Sequence, residues 1–563
     1  MPDWPNTASM MLSLARSWSN RPMLRHFQDG AWQAITWGQF GAKVAAAARA
    51  LREAGISAGD RVVLVSENRP DFTIAEVALQ AIRAVAVPAY VTNSVADHAH
   101  IIADCGAVAA IASTPALAQR LAEAGAPGIL ICMAPGSVSA IDWAETLRNP
   151  PDFADIAAEA ATIPPGALAV ILYTSGTSGS PRGVMLSHRA LLANCRSAIE
   201  LAGLLGLNRE TYLSFLPMSH SFEHTLGQFF LPLIGTEIVF SRGVEHLSAD
   251  MLSQRPTLMA MVPRILEVIR ARILTQAARE KPWRQRLFHA AIDIGGKRAA
   301  GRTLTFWERA ADPILERIVR AKIRARFGGR FRMAVSGSAR LEPEVGRFFQ
   351  AIGIHMVQGY GQTEAGPVIS AMHPDSRIET VGPPLPGVAL RIAGDGEILV
   401  QGDLLMDGYW GRPAETTNTL AGGWLHTGDI GVIDPDGSLR ITDRKKDIIV
   451  LSGGEKISPA RIEGLLVAQP GIAQAVVSGE GKASLSALIV LADGVADTEA
   501  LRAIARVNAL LSTTERIRRH AVVPPFTAEN GLLTVSHKVR RHLVISTYAE
   551  LLSGLSGLSG HAG

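Results

Sequence analysis

Short apolar runs alternate along the chain with longer stretches whose apolar positions recur at helical spacing. Arg61–Ser66 (RVVLVS), Ala167–Tyr173 (ALAVILY), Leu258–Val262 and Arg332–Val335 are nearly continuous in apolar residues, which predicts strands buried on both faces. Ala75–Arg83 follows the first of them with a helical pattern. Such alternation predicts parallel sheets with helices on both faces. After about Gly387 the pattern changes: Asp395-Gly396 and Asp436-Gly437 each sit between alternating runs and predict hairpins. A smaller βαβ-like unit is expected from Lys446, and the threefold Leu-Ser-Gly repeat over 552–560 reads as a flexible tail.

Composition narrows the classes. The chain has 563 residues, 47% of them apolar and 19% charged, so it has a large core and is not a disordered polypeptide. At ~150 residues per domain, three to four domain-sized units are expected. The net charge of +4 excludes a general nucleic-acid binder. That average conceals a basic stretch from Arg279 to Arg332, with 15 Lys/Arg against 5 Asp/Glu, a net of +10. Within it Trp307, Ala310, Ile314 and Ile318 fall at helical spacing, with Arg317 and Arg320 between them. This reads either as a solvated helical insertion or as a surface that attracts anionic lipid or an anionic substrate. No apolar run reaches the ~18 residues of a membrane span, and the first residues lack the pattern of a secretion signal. Cys105, Cys132 and Cys195 have no metal-like spacing and are expected to be reduced thiols of a cytoplasmic enzyme.

Candidate chemistry begins at Tyr173-Thr-Ser-Gly-Thr-Ser-Gly-Ser-Pro-Arg-Gly183, read as a loop between a buried strand and a helix. Gly176, Gly179 and Gly183 let backbone N–H groups approach an anion closely. The hydroxyls of Thr174, Ser175, Thr177 and Ser178 add donors, and Arg182 adds charge. The absence of Gly-Lys-Ser/Thr separates it from the Walker loop.

This loop resembles the signature of the adenylate-forming, or AMP-binding, superfamily of acyl-CoA synthetases, aryl ligases and luciferases. The resemblance extends over nearly the whole chain. Gln358-Gly-Tyr-Gly-Gln-Thr-Glu364 is similar to the adenine and magnesium motif, and Gly423-Trp-Leu-His-Thr-Gly-Asp429 to the ribose motif. Asp443-Arg-Lys-Lys-Asp447 resembles the interdomain hinge. Glu529-Asn-Gly-Leu-Leu-Thr534, followed by Lys538-Val-Arg-Arg541, resembles the catalytic-lysine segment. Two departures stand out. Arg182 occupies the usual lysine position, keeping the charge on a planar fork. Thr534-Val-Ser536 replaces Thr-Pro-Thr.

Leu216-Pro-Met-Ser-His-Ser-Phe-Glu-His224 resembles the Leu-Pro-Leu-x-His-x-x-Glu-Arg segment of long-chain fatty acyl-CoA synthetases, with His224 in the place of Arg. His220, Glu223 and His224 also spell the inverted zinc-protease order, but five nucleotide motifs argue against that reading. Thr36–Phe40, Ser66–Pro70, Val262–Arg264 and the position of the basic insertion resemble the same long-chain branch. Fatty acyl-AMP ligases carry a further insertion with no evident counterpart here, which favours transfer to CoA.

The resemblance implies an α/β enzyme with a large domain over 1–443, containing mixed sheets and a β-barrel-like subdomain. A hinge follows at 444–446, with Lys446 as its pivot, and then a small, mobile α+β domain over 447–563. It implies ATP, Mg²⁺ and coenzyme A as cofactors and a fatty acid as substrate. Aryl or other carboxylate–CoA ligation is the alternative chemistry, and a non-catalytic nucleotide- or acyl-binding protein is the rival of another class. Glu364 would hold Mg²⁺, and Thr363 would bond the α-phosphate. His220 would lie near the acyl carboxylate, and Lys538 would reach the α-phosphate and acyl oxygens. Tyr360 would stack on adenine opposite Gly337, Ser338 and Ala339, and Asp429 and Arg444 would take the ribose. Gly453 and Gly454 would face the pantetheine tunnel after rotation of the small domain. The basic stretch 279–332 adds an expectation of weak peripheral contact with the inner membrane face.

Overall fold

The computed structural model describes residues 3–134, 141–148, 150–174, 181–527, 529–533 and 539–557. They form two compact units. The first comprises 1–390 with 400–426 and 435–439, and the second 391–399 with 427–434 and 440–563. The division thus differs from a single cut at 443: part of the hairpin-rich segment groups with the C-terminal residues.

The first unit is built on two sheets. In the eight-stranded sheet, Thr211–Ser214, Glu237–Phe240, Leu258–Met261, Met333–Ser336 and His355–Gly361 run parallel with Pro22–Gln28. Val368–Ala371 and Ala31–Thr36 close its two edges in the antiparallel sense. The seven-stranded sheet has Arg61–Val65, Val85–Ala89, Ala109–Ala112, Ile129–Cys132 and Leu168–Thr174 in parallel. Arg182–Ser187 and Gly408–Tyr409 are added antiparallel at one edge. Four apolar runs read as strands are strands here, shifted by a residue or two at their ends.

The helix after Arg61–Val65 spans Pro70–Ala81, starting earlier than its periodicity predicts. Pro70 occupies its first turn, where a missing N–H costs nothing, and Asp71 complements the helix dipole. All its residues except Asp71 are buried, and it touches strands of both sheets. A helix buried all round is expected to be apolar. Its Thr73, Glu76 and Gln80 therefore require partners inside the protein.

The region expected to be barrel-like holds a four-stranded sheet in the order Ala389–Ile392, Glu397–Gln401, Leu425–Ile433, Leu439–Arg444. Asp395-Gly396 and Asp436-Gly437 form its turns, with both glycines at positive φ. Farther on, Leu485–Leu491 and Ile517–Val522 run parallel across the helix Thr498–Asn508, the expected βαβ unit, with Ile472–Ser478 antiparallel at the edge. The tail departs from expectation. Ala549–Gly557 is helical, because Leu552 and Leu555 fall on one face and pack with Val476, Val490 and Val544.

Candidate functional site

In the first unit the site gathers at the C-terminal ends of parallel strands, where α/β sheets open their ligand crevices. Strand Thr211–Ser214 leads into the loop carrying His220. Strand Met333–Ser336 leads to Gly337, Ser338 and Ala339, and strand His355–Gly361 ends with Tyr360. Ser336 pairs with Gln358, which brings the two segments expected to flank adenine side by side. A Cβ at Gly337 would meet the Phe222 ring at 3.1 Å, so the ring would have to give way by a few tenths of an ångström. Gly361 approaches the Pro367 carbonyl so closely that a Cβ would lie 1.8 Å from its oxygen. Ser338 holds a positive φ of 68°, a conformation rare outside glycine.

Asn68, from the Ser66–Pro70 segment, fixes the His220 loop. Its amide donates to Leu216 O at 2.7 Å and Ser214 Oγ at 3.0 Å, and its oxygen accepts from Met218 N. His220 caps the short helix Ser221–Thr225, its Nδ1 accepting from Phe222 N at 3.2 Å. The ring proton is thereby placed on Nε2. The next residue, Ser221, accepts from Thr363 Oγ1 at 3.0 Å. His220 and the Thr363–Glu364 turn are thus tied together.

Glu364 is buried, and Oε1 of its carboxylate accepts from Tyr409 Oη at 2.7 Å. Burial, followed by the Glu364 charge, raises the Tyr409 pKa, so its hydroxyl stays a donor. Over the Tyr409 ring, 4.5 Å from its centroid, lies the Arg182 guanidinium, which also donates to Glu415 at 2.9 Å. Arg182 Nε and Gln362 Nε2 are buried donors with no acceptor among the described residues. Tyr409 and Glu415 were marked by no periodic or motif signal, and Asn68 and Ser221 lie in motif segments that gave them no role of their own. Their roles come from contacts between segments far apart in sequence.

The phosphate-type loop joins two strands rather than a strand and a helix. Thr174 pairs with Arg182 and Tyr173 with Gly183 in an antiparallel hairpin, and the helix His188–Leu204 begins only after Ser187. The run Arg182–Ser187 is itself apolar and short, which explains the correction. Ser175, Gly176, Thr177, Ser178 and Gly179 lie outside the described residues.

His224 and Glu223 point to separate partners, which removes the zinc-protease reading. His224 Nε2 lies 2.6 Å from Glu76 Oε1, both side chains being fully buried. Gln80 donates to the same oxygen and accepts from Thr7. Glu223 instead accepts from Tyr212 at 2.5 Å and Ser214 at 2.6 Å, and burial pushes its pKa up to about 7.

In the second unit, Asp429 is buried on strand Leu425–Ile433 and pairs with Arg444 Nε at 2.9 Å. The two residues expected at the ribose are therefore neighbours. Lys445 bridges Asp395 at 2.7 Å and Glu397 at 2.9 Å, and its N–H donates to Gly428 O. Lys446 is exposed in the turn that follows. Gly453 and Gly454 lie in the turn between Ile449–Val450 and Lys456–Ile457, Gly454 at φ +86°. Lys538 lies outside the described residues; on either side of 534–538, Leu533 pairs with Val539.

Comparison with known proteins adds the family context. Residues 14–410 match the family described as AMP-binding enzyme, and 446–555 its C-terminal domain. The chain is 34% identical over 505 residues to the long-chain-fatty-acid–CoA ligase FadD15 of Mycobacterium tuberculosis, covering 86% of this chain and 82% of that protein. It is 30% identical over 504 residues to the peroxisomal long chain acyl-CoA synthetase 6 of Arabidopsis thaliana, covering 82% and 69%. Among solved structures, ATP-bound MatB from Rhodopseudomonas palustris superposes with a TM-score of 0.74 at 22% identity, covering 97% of this chain and 99% of that one. At that identity the likeness speaks for the fold.

Proposed function

The chain belongs to the AMP-binding enzyme family, and on that premise we propose that it joins a fatty acid, preferentially long-chain, to the α-phosphate of ATP and passes the acyl group to coenzyme A. AMP and pyrophosphate are the other products, which makes it an AMP-forming acid–thiol ligase. The observation that carries this reading is the 34% identity to a long-chain-fatty-acid–CoA ligase over 86% of the chain. The benzoate and succinylbenzoate ligases share the fold at 20% identity, too distant to favour an aryl acid.

The first step brings a carboxylate against a polyphosphate, so positive charge and hydrogen-bond donors must be in place before reaction. In this reading Arg182 and the loop Thr174–Gly179 receive the β- and γ-phosphates. Thr363 donates to the α-phosphate. His220, with its proton on Nε2, donates to the acyl carboxylate or the α-phosphate, and Lys538 reaches the same oxygens. Mg²⁺, when bound, neutralises phosphate charge, and Glu364 suits it as a hard, buried carboxylate ligand oriented by Tyr409. Tyr360 and Gly337–Ala339 enclose adenine, and Asp429, held by Arg444, accepts from the ribose hydroxyls.

For the second step the small domain, 447–563 in this reading, turns about Lys446. Lys538 withdraws, and Gly453 and Gly454 come to the pantetheine arm. Because acyl-AMP is an activated anhydride, water must be kept out until the thiol arrives. No helix among the described residues is long and apolar enough to cross a membrane. We place the enzyme in the cytoplasm, touching the inner membrane face through 279–332. A CoA-thioester assay with ATP and Mg²⁺, run from acetate to eicosanoate and over several aryl acids, tests the assignment. The highest kcat/KM is expected with long-chain acids; a preference for an aryl acid would move the enzyme to another branch.

A further inference from the structure

Gly428 interrupts the strand Leu425–Ile433. Its φ of +69° is a left-handed value inside an extended run. A Cβ there would meet nothing within 4 Å, so the backbone conformation and not crowding calls for glycine. Such a kink re-aims the side chain that follows, and the residue that follows is Asp429.

Both polar groups of the Gly428 backbone are held by Glu397 and Lys445. The Gly428 N–H donates to Glu397 Oε1 at 2.9 Å, and its carbonyl accepts from Lys445 N at 2.9 Å. Lys445 then closes the ring. Its ammonium donates to Glu397 Oε2 at 2.9 Å and pairs with Asp395 at 2.7 Å. Glu397 is 5% exposed, and a buried carboxylate is costly unless paired and hydrogen-bonded. Here one oxygen accepts from a peptide N–H and the other from an ammonium. The strand Glu397–Gln401 grips the neighbouring residue as well. Asp429 N donates to Thr427 Oγ1 at 3.1 Å, and that hydroxyl donates to Ile398 O at 2.7 Å. Arg444, which meets Asp429 Oδ1 at 2.9 Å, directly precedes Lys445. The ring therefore fixes the residue before Asp429 and the residue after Arg444.

We infer that Glu397 and Lys445 are positioning residues for the nucleotide ribose: they hold the Gly428 backbone so that Asp429, paired with Arg444, presents a fixed acceptor to the 2′- and 3′-hydroxyls. The inference deepens the adenylation reading and rests on it for the role of Asp429. The test is calorimetric binding of ATP and of 2′,3′-dideoxy-ATP to the full chain with Mg²⁺, without acid or CoA. The wild-type protein is expected to prefer ATP by about tenfold or more, the worth of hydrogen bonds to a charged acceptor. Glu397→Gln sets an amide against the Lys445 ammonium, and Lys445→Met leaves the Glu397 carboxylate without its cation. Each should weaken ATP binding by about tenfold and change dideoxy-ATP binding by less than about twofold, so that the preference disappears. Lys445→Arg still reaches both carboxylates and should keep most of it. Lys445 is half exposed, so Lys445→Met keeps the test decisive if Glu397→Gln does not fold. A preference that survives in both variants would overturn the inference, and so would a parallel loss of affinity for the two nucleotides, the mark of a general structural role. A wild-type protein indifferent to the ribose hydroxyls would overturn it together with the assignment of Asp429. Because binding is read without acid or CoA, failure to form any thioester leaves the result standing, and its failure leaves the fatty-acid ligase reading standing.

Discussion

Tyr409 holds Glu364 by a buried hydrogen bond of 2.7 Å between its hydroxyl and one carboxylate oxygen. The same ring carries the Arg182 guanidinium on its face, so one tyrosine touches both the carboxylate proposed to hold Mg²⁺ and the cation proposed to meet phosphate. Removing the hydroxyl leaves Glu364 free to turn. Tyr409→Phe is expected to raise the Mg²⁺ concentration for half-maximal ATP–pyrophosphate exchange by about tenfold, the worth of a hydrogen bond to a charged group. Glu364→Ala should lower the exchange by about a hundredfold. An unchanged Mg²⁺ dependence in Tyr409→Phe would separate the tyrosine from that role.

The two histidines of the His220–His224 segment should part company. His220→Ala is expected to slow adenylation by about a hundredfold, with a loss of about 1 kcal/mol from its capping bond. His224→Ala should leave the buried Glu76 with the Gln80 amide but without its 2.6 Å contact to His224, and cost about 2 kcal/mol or more of stability. Melting curves and exchange assays on the same two proteins check this. A stable, inactive His224→Ala would contradict it.

Glu223 supplies a pH dependence. Burial raises its pKa to about 7 in the folded protein, against 4.5 for an ordinary glutamate carboxyl. The folded state therefore binds the proton more tightly than the unfolded chain, and this contribution to stability falls as pH rises from about 4.5 to about 7, then stays constant. Relative to Glu223→Gln, the wild-type melting temperature should decline across that window. A difference that grows with pH would carry the wrong sign.

The hinge reading predicts a genetic separation of the half-reactions. Lys538→Ala should slow acyl-AMP formation and spare thiolation of supplied acyl-AMP. Lys446→Pro should do the reverse, since proline fixes φ near −65° and stiffens the turn. Parallel loss of both steps in each variant would defeat domain rotation about Lys446.

Much of this arrangement was legible in the chain. Strands such as Arg61–Val65 and Leu168–Thr174 are buried on both faces and so read as unbroken apolar runs, and the two Asp-Gly pairs marked their turns. Other features depended on contacts that periodicity does not encode. Glu76 and His224 are 148 residues apart, and Tyr409 and Glu364 are 45 apart. The stripe Trp307–Ile318 has a helical period, but period alone does not tell which side the protein covers. Here the ion pairs of Asp312, Glu316 and Arg320 settle the orientation. The tail failed for the opposite reason: its glycines suggested a linker, while Leu552 and Leu555 found a surface on Val476 and Val490.

The central claim is that one chain couples ATP cleavage to thioester formation on a fatty acid. The most direct measurement follows AMP, pyrophosphate and palmitoyl-CoA together in one reaction of purified protein with palmitate, ATP, Mg²⁺ and CoA. The three products are expected to accumulate in equal amounts, and none without palmitate. ADP and phosphate in place of AMP and pyrophosphate, or bound nucleotide with no thioester from any fatty acid, would contradict the account.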